Sequence, residues 1–136
     1  MIIEHIAIWT SRLEELKDFY VGFFGGVSGE KYINRERGYQ SYFISFSTGA
    51  RLELMKMDGI PENRNDPAAQ HQGIIHLAFG VDTVEEVEIK AQQLLKAGFR
   101  ILKGPRRTGD GYYEFEALDP DNNRFEVCTT VPRHKR

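Results

Sequence analysis

The residues Ile3-Glu4-His5-Ile6-Ala7-Ile8 return in near copy as Ile74-Ile75-His76-Leu77-Ala78-Phe79, and this internal repeat constrains the fold more than any other feature. A second pair closes the two halves, Arg51-Leu52-Glu53-Leu54-Met55 and Arg124-Phe125-Glu126-Val127-Cys128. His5 to Glu53 spans 48 positions and His76 to Glu126 spans 50. Each half therefore opens on a histidine and closes on a glutamate at nearly the same spacing. A lone histidine or glutamate in a strand is an ordinary core or edge residue. Two matched pairs in register point instead to four ligands, His5, Glu53, His76 and Glu126, for one divalent metal.

A chain of 136 residues buries about two-thirds of its extended surface on folding, so one domain over residues 1–136 needs neither a disulfide nor a metal to be stable. A bound metal is then functional. The net charge of -2 and pI near 6.1 offer no positive field for nucleic acid or an anionic membrane, so the expected partner is a small molecule. Only Arg133-His134-Lys135-Arg136 is basic, and a short charged terminus reads as solvated. Cys128 is the sole cysteine, which excludes an intramolecular disulfide. The start carries no leader-like pattern, and no run of about 18 apolar residues occurs, so a soluble cytoplasmic protein is expected.

Along the chain, Ile2 to Trp9 reads as a largely buried strand. Ser11-x-x-Glu14 fits a capping box for a helix whose apolar stripe is Leu13, Leu16, Phe19, Tyr20, Phe23 and Phe24, ended by Gly25-Gly26. A polar turn follows, then strands over 38–47 and 50–57. Residues 58–73, rich in glycine, proline and charge, form a linker in which His71 reads as an exposed loop residue. Module 2, residues 74–131, replays module 1, residues 1–57. Its capping box is Asp82-x-x-Glu85 and its stripe Val84, Val87, Ala91, Leu94 and Leu95. Phe99 to Leu102 is a short strand, 103–111 a polar loop, and two strands flank the turn Asp119-Pro120-Asp121-Asn122, with the basic tail at 132–136.

Residues two apart in a strand share a face, so His5 groups with Ala7 and Trp9, His76 with Ala78, and Glu126 with Arg124 and Cys128. Imidazole with carboxylate suits nickel, cobalt, zinc, manganese or iron, and the lack of thiolate ligands argues against a structural zinc knot. Four protein ligands in an octahedral sphere leave two positions for water or substrate.

The segments IEHIAIWTSRLEELKDFYVGFFGG, IIHLAFGVDTVEEV and ALDPDNNRFEV resemble the vicinal oxygen chelate superfamily, also called the glyoxalase/bleomycin resistance/dioxygenase superfamily. The resemblance implies an α+β fold of two βαβββ modules whose sheets curl into a cup around a divalent metal, often in a homodimer. It places His5, Glu53, His76 and Glu126 where glyoxalase I enzymes hold their metal. Members with three ligands characteristically use two histidines and one glutamate, so Glu53 as a fourth favours the isomerase and lyase branch. Those enzymes usually carry an arginine four residues after the first ligand, where it contacts the glutathione carboxylate. Here that position is Trp9, whose neutral indole does not pair with a carboxylate.

The implied activity is metal-assisted proton transfer on an α-hydroxycarbonyl or a thiol adduct, with Glu126 the preferred base and Glu53 the alternative. Tyr113 and Phe115 are expected to give Glu126 a dry setting. Trp9, Phe43, Met55, Arg107 and Tyr113 are candidates for contacting substrate, with Arg106 and Tyr112 beside them in the loop before a site strand. For the aromatics and the methionine, plain core packing is the competing reading. Two other activities fit the same resemblance: a metal-dependent epimerase or thiol transferase, and a metal-free drug-binding protein of the bleomycin-resistance type.

Overall fold

Each half of the chain folds as a strand, a helix and then antiparallel strands, as a computed structural model describing residues 1–132 shows. The expectation for the basic tail falls on residues 133–136, outside those described. The chain divides into two units, Met1–Asn63 and Arg64–Arg136, with the boundary inside the 58–73 segment. Among the described residues no helix is long and apolar enough to cross a membrane.

In the first unit β1 (His5–Trp9) runs parallel to β5 (Arg51–Met57), which pairs antiparallel with β4 (Tyr39–Ser45). Parallel neighbours need a long crossover, and here it contains α1 (Leu13–Phe24). Leu13, Leu16, Phe19 and Tyr20 of α1 are buried, as are Ile44, Leu52 and Leu54 on the sheet face that α1 covers. Burying each such side chain contributes about 2 kcal/mol. Because Leu52 and Leu54 alternate with Arg51, Glu53 and Met55, the helix-covered face leaves Glu53 on the other.

The second unit repeats this plan. β6 (Leu77–Gly80) is parallel to β9 (Arg124–Thr130), β8 (Tyr112–Leu118) is antiparallel to β9, and β7 (Ile101–Arg107) forms the far edge. Val87, Ala91 and Leu94 of α2 (Val84–Lys96) are buried, with Phe115, Ala117, Phe125 and Val127 on the covered face of the sheet. The architecture is α+β, as the sequence led us to expect: the second unit is a βαβββ module, and the first follows the same plan with one further short strand after its helix.

Several local expectations are corrected. Ile2 and Ile3 are exposed, and β1 starts only at His5, because its ladder with β5 begins at the His5–Arg51 pair. The backbone bond from Arg51 N to Glu4 O adds one rung, and the chain before it has run past the end of its partner. His76 likewise sits one residue ahead of β6. The expected polar turn after Gly26 holds two short strands, β2 (Val27–Ser28) and β3 (Tyr32–Asn34), each paired with a different part of β4. Residues 103–107, expected in a loop, belong to β7, which two register shifts keep paired with β8.

The capping boxes also move. α1 begins after Arg12 with no side-chain cap, while Thr10 Oγ1 accepts from the Arg12 N–H. In α2 the box is Thr83 with Glu86, one residue later than expected: Thr83 Oγ1 accepts from Glu86 N at 3.1 Å, and Glu86 Oε2 accepts from Thr83 N at 2.9 Å.

Candidate metal centre

In the first unit, Cα pairing places Ala7 beside Glu53 and Phe43 on its other side, so His5, Glu53 and Phe43 share the face away from α1. His5 Nε2 lies 3.9 Å from Glu53 Oε1. The other ring nitrogen, Nδ1, is 2.7 Å from Glu4 Oε2, and Arg51 donates to the second Glu4 oxygen. Glu4 holds the ring through Nδ1, the kind of contact by which a carboxylate orients a ligating histidine, and Nε2 is the ring nitrogen that faces Glu53. Arg51 first, and His5 second, hold the Glu4 carboxyl below its usual range. Tyr39 donates weakly to Glu53 Oε2 at 3.5 Å, and Phe43 packs edge-on to His5 at 5.5 Å between ring centres.

In the second unit, Glu126 pairs with Ala78 on one side and Glu116 on the other, and Glu114 pairs with Cys128. His76 Nε2 lies 3.4 Å from Glu126 Oε2. Glu126 is 8% exposed, and its carboxyl is pushed up to about 7, first by burial and then by the negative charge of Glu114 and the contact with Glu116. The Cys128 thiol is raised by burial and then by Glu114 and Glu126.

The structure thus brings His5 to Glu53 and His76 to Glu126. Of the substrate-contact candidates, Trp9, Phe43 and Met55 lie on the Glu53 face, with Trp9 edge-on to Tyr39 at 6.0 Å. Tyr113 and Arg107 do not lie on the Glu126 face. They pair with each other across β7 and β8 on the α2 side, where the Tyr113 hydroxyl donates to Glu88 at 2.7 Å. That bond to Glu88, more than burial, raises the Tyr113 phenol above its ordinary value. Phe115 is buried on the same side against Phe125. Glu126 is instead flanked by Glu114 and Glu116, because alternation along β8 sends even-numbered residues to its side. Arg106, paired with Glu114, is on that side where Arg107 is not.

Sequence reading passed over Glu116, Glu114, Glu4 and Tyr39. The first two had a signal: the tight turn at 119–122 pairs Leu118 with Arg124, and counting outward sets Glu116 opposite Glu126.

The donors suit a divalent cation. A buried carboxyl with two carboxylates on its face calls for a proton or a cation, and no described ion pair joins Glu114, Glu116 or Glu126 to a lysine or arginine. Nitrogen and oxygen donors without thiolate match borderline and hard ions.

The model of the Glyoxalase/Bleomycin resistance protein/Dioxygenase superfamily matches residues 2–127. The chain belongs to that superfamily. The uncharacterized protein YwkD of Bacillus subtilis (strain 168) is 30% identical over 127 residues, covering 92% of this chain and 94% of that protein. The glyoxylase/bleomycin resistance protein/dioxygenase domain of Frankia sp. EAN1pec superposes with a TM-score of 0.79 at 16% identity, covering 96% of this chain and 98% of that one. The trypanothione-dependent glyoxalase I of Leishmania major superposes with a TM-score of 0.74 at 22% identity, covering 95% of this chain and 86% of that one. These two likenesses show the superfamily fold.

Proposed function

We propose that this superfamily member is a metal-dependent enzyme resembling glyoxalase I, a lyase or isomerase that moves a proton between adjacent carbons of an α-hydroxycarbonyl or thiol adduct. His5, Glu53, His76 and Glu126 are the ligands in this reading, and residues 1–136 act as one functional domain. The observation that carries it is the repeated geometry, a histidine Nε2 facing a glutamate oxygen in each unit, at 3.9 Å and 3.4 Å. The native ion is one of nickel, cobalt, zinc, manganese or iron.

A divalent ion bound by these side chains supplies Lewis acidity to a substrate carbonyl or hydroxyl oxygen. The chain's own residues do the rest. Glu126, set in a buried carboxylate-rich surround, takes the carbon-bound proton and returns it to the neighbouring carbon, with Glu53 the alternative base. Glu4 and Arg51 fix the His5 ring. Trp9, Phe43 and Met55 offer an apolar surface beside Glu53, and the neutral Trp9 favours a substrate without a carboxylate at that point.

We also read the protein as cytoplasmic and homodimeric. Light scattering on the purified protein tests the dimer.

Metal analysis of the purified chain is the deciding experiment. Stoichiometric divalent metal, lost on His5→Ala and on His76→Ala, supports the site. Metal-free protein indifferent to added ions sinks the enzymatic reading and leaves a drug-sequestering protein. Turnover of a methylglyoxal–thiol adduct then separates glyoxalase I chemistry from epimerase and thiol-transferase activity.

A further inference from the structure

The superfamily resemblance assigns one carboxylate to the metal from each half. The second unit presents more than that. One donor atom from each of His76, Glu116 and Glu126 lies within 4.8 Å of the others. Donors to one ion at bond lengths of about 2.1 Å lie roughly 3 to 4 Å apart, so a small side-chain adjustment brings all three into one sphere.

Glu116 is placed there by backbone pairing rather than by a loop. It is the direct cross-strand partner of Glu126 on the central β8–β9 ladder, and residues opposite each other in such a ladder hold their Cβ atoms about 5 Å apart on one face. Two like charges directly opposite destabilise a sheet unless something between them compensates. The basic residues nearest in register are Lys103, opposite Glu116, and Arg106, opposite Glu114, both on the edge strand. Both are exposed, and neither forms a described ion pair with these carboxylates. Arg124, on the same face, donates instead to the carbonyls of Pro67 and Ala69. His76 Nε2 faces Glu126 at 3.4 Å. The arrangement has two opposed carboxylates, one imidazole and no bound basic side chain, and a divalent ion satisfies all three.

We propose that Glu116 is a metal ligand of this chain, so that His76, Glu116 and Glu126 of the second unit together bind a divalent cation. The inference rests on the metal-dependent reading above and adds a residue to it. Glu114, one rung further along the same face opposite Cys128, is not part of the set and serves as the control for the local negative field.

Cobalt titrated into the metal-stripped full chain by calorimetry, with the visible absorption of the bound ion followed in parallel, tests this. Glu116→Gln should weaken cobalt binding by about 10- to 100-fold and alter the absorption of what binds, and Glu114→Gln should change affinity by less than about threefold. Glu116→Asp, which keeps a carboxylate, should recover part of the loss. Far-UV circular dichroism establishes that each variant is folded. Wild-type affinity and spectrum in folded Glu116→Gln, alongside loss of binding in His76→Ala, overturns the role of Glu116 and leaves the metal reading standing. Equal losses in Glu114→Gln and Glu116→Gln overturn it too, since that is a field effect. No cobalt binding by wild type overturns both.

Discussion

His76 Nε2 faces Glu126 Oε2 at 3.4 Å although 50 residues separate them, because β6 and β9 are parallel neighbours and Ala78 stands beside Glu126. His5 and Glu53 stand in the same relation in the first unit, through β1 and β5. A parallel pairing of first and last strands is what turns the sequence repeat into two matched donor pairs.

The contact between Glu4 and His5 predicts a graded effect on metal binding. Glu4→Ala removes the acceptor for His5 Nδ1 and frees Arg51, and should weaken divalent metal affinity about 10-fold; Glu4→Gln, which keeps an oxygen acceptor, should lose less. Calorimetric titration of the two variants checks the order. Equal affinities across wild type and both variants would remove Glu4 from the site.

Glu126 makes the stability of the metal-free protein depend on pH. Its folded value of about 7 lies above the ordinary 4.5, so the folded chain holds that proton more tightly than the unfolded one. Its stabilising contribution is complete below about pH 4.5 and is lost as pH rises through about 7. Urea unfolding at about pH 5 and about pH 8 should show wild type losing more stability across that interval than Glu126→Gln. Identical losses in the two proteins would contradict the assignment.

The two helix starts should respond differently to the same kind of substitution. Thr83→Ala removes a formed capping box and should cost about 1 kcal/mol, while Ser11→Ala removes no cap and should stay within about 0.5 kcal/mol. Thermal unfolding of both variants decides it, and an effect of Ser11→Ala as large as that of Thr83→Ala would be inconsistent with the observed start of α1.

Arg124 ties the segment before module 2 to the sheet. It is 6% exposed and donates through Nη2 to Pro67 O at 2.8 Å and Ala69 O at 2.9 Å, while its Nε is buried without a partner. Arg124→Met should destabilise by about 1.5–3 kcal/mol and open residues 64–73 to proteolysis. Unchanged unfolding and unchanged cleavage would show that the two bonds hold nothing in place.

The helical stripes and the two-module plan were legible because they are periodic, and periodicity is local. Leu16, Tyr20 and Leu94 are fully buried where the three- and four-residue spacing put them. The caps slipped by a residue because Thr83 and Asp82 both carry acceptors at the right distance, and the contest between them is decided by backbone angles. The Glu53 face was legible from alternation. Tyr113 lies on the face away from Glu126, since closeness in sequence to a site strand does not decide which face a residue occupies.

By itself the sequence determined that there are two modules, and which strand face carries each histidine and glutamate. Spacing and alternation encode these within a few residues. Only the tertiary structure decided that Glu116 stands opposite Glu126, that Glu4 orients His5, and that Tyr113 and Arg107 turn toward α2. Those relations depend on the register between strands, which is set by hydrogen bonds between distant segments, and a shift of one residue would send every side chain to the other face.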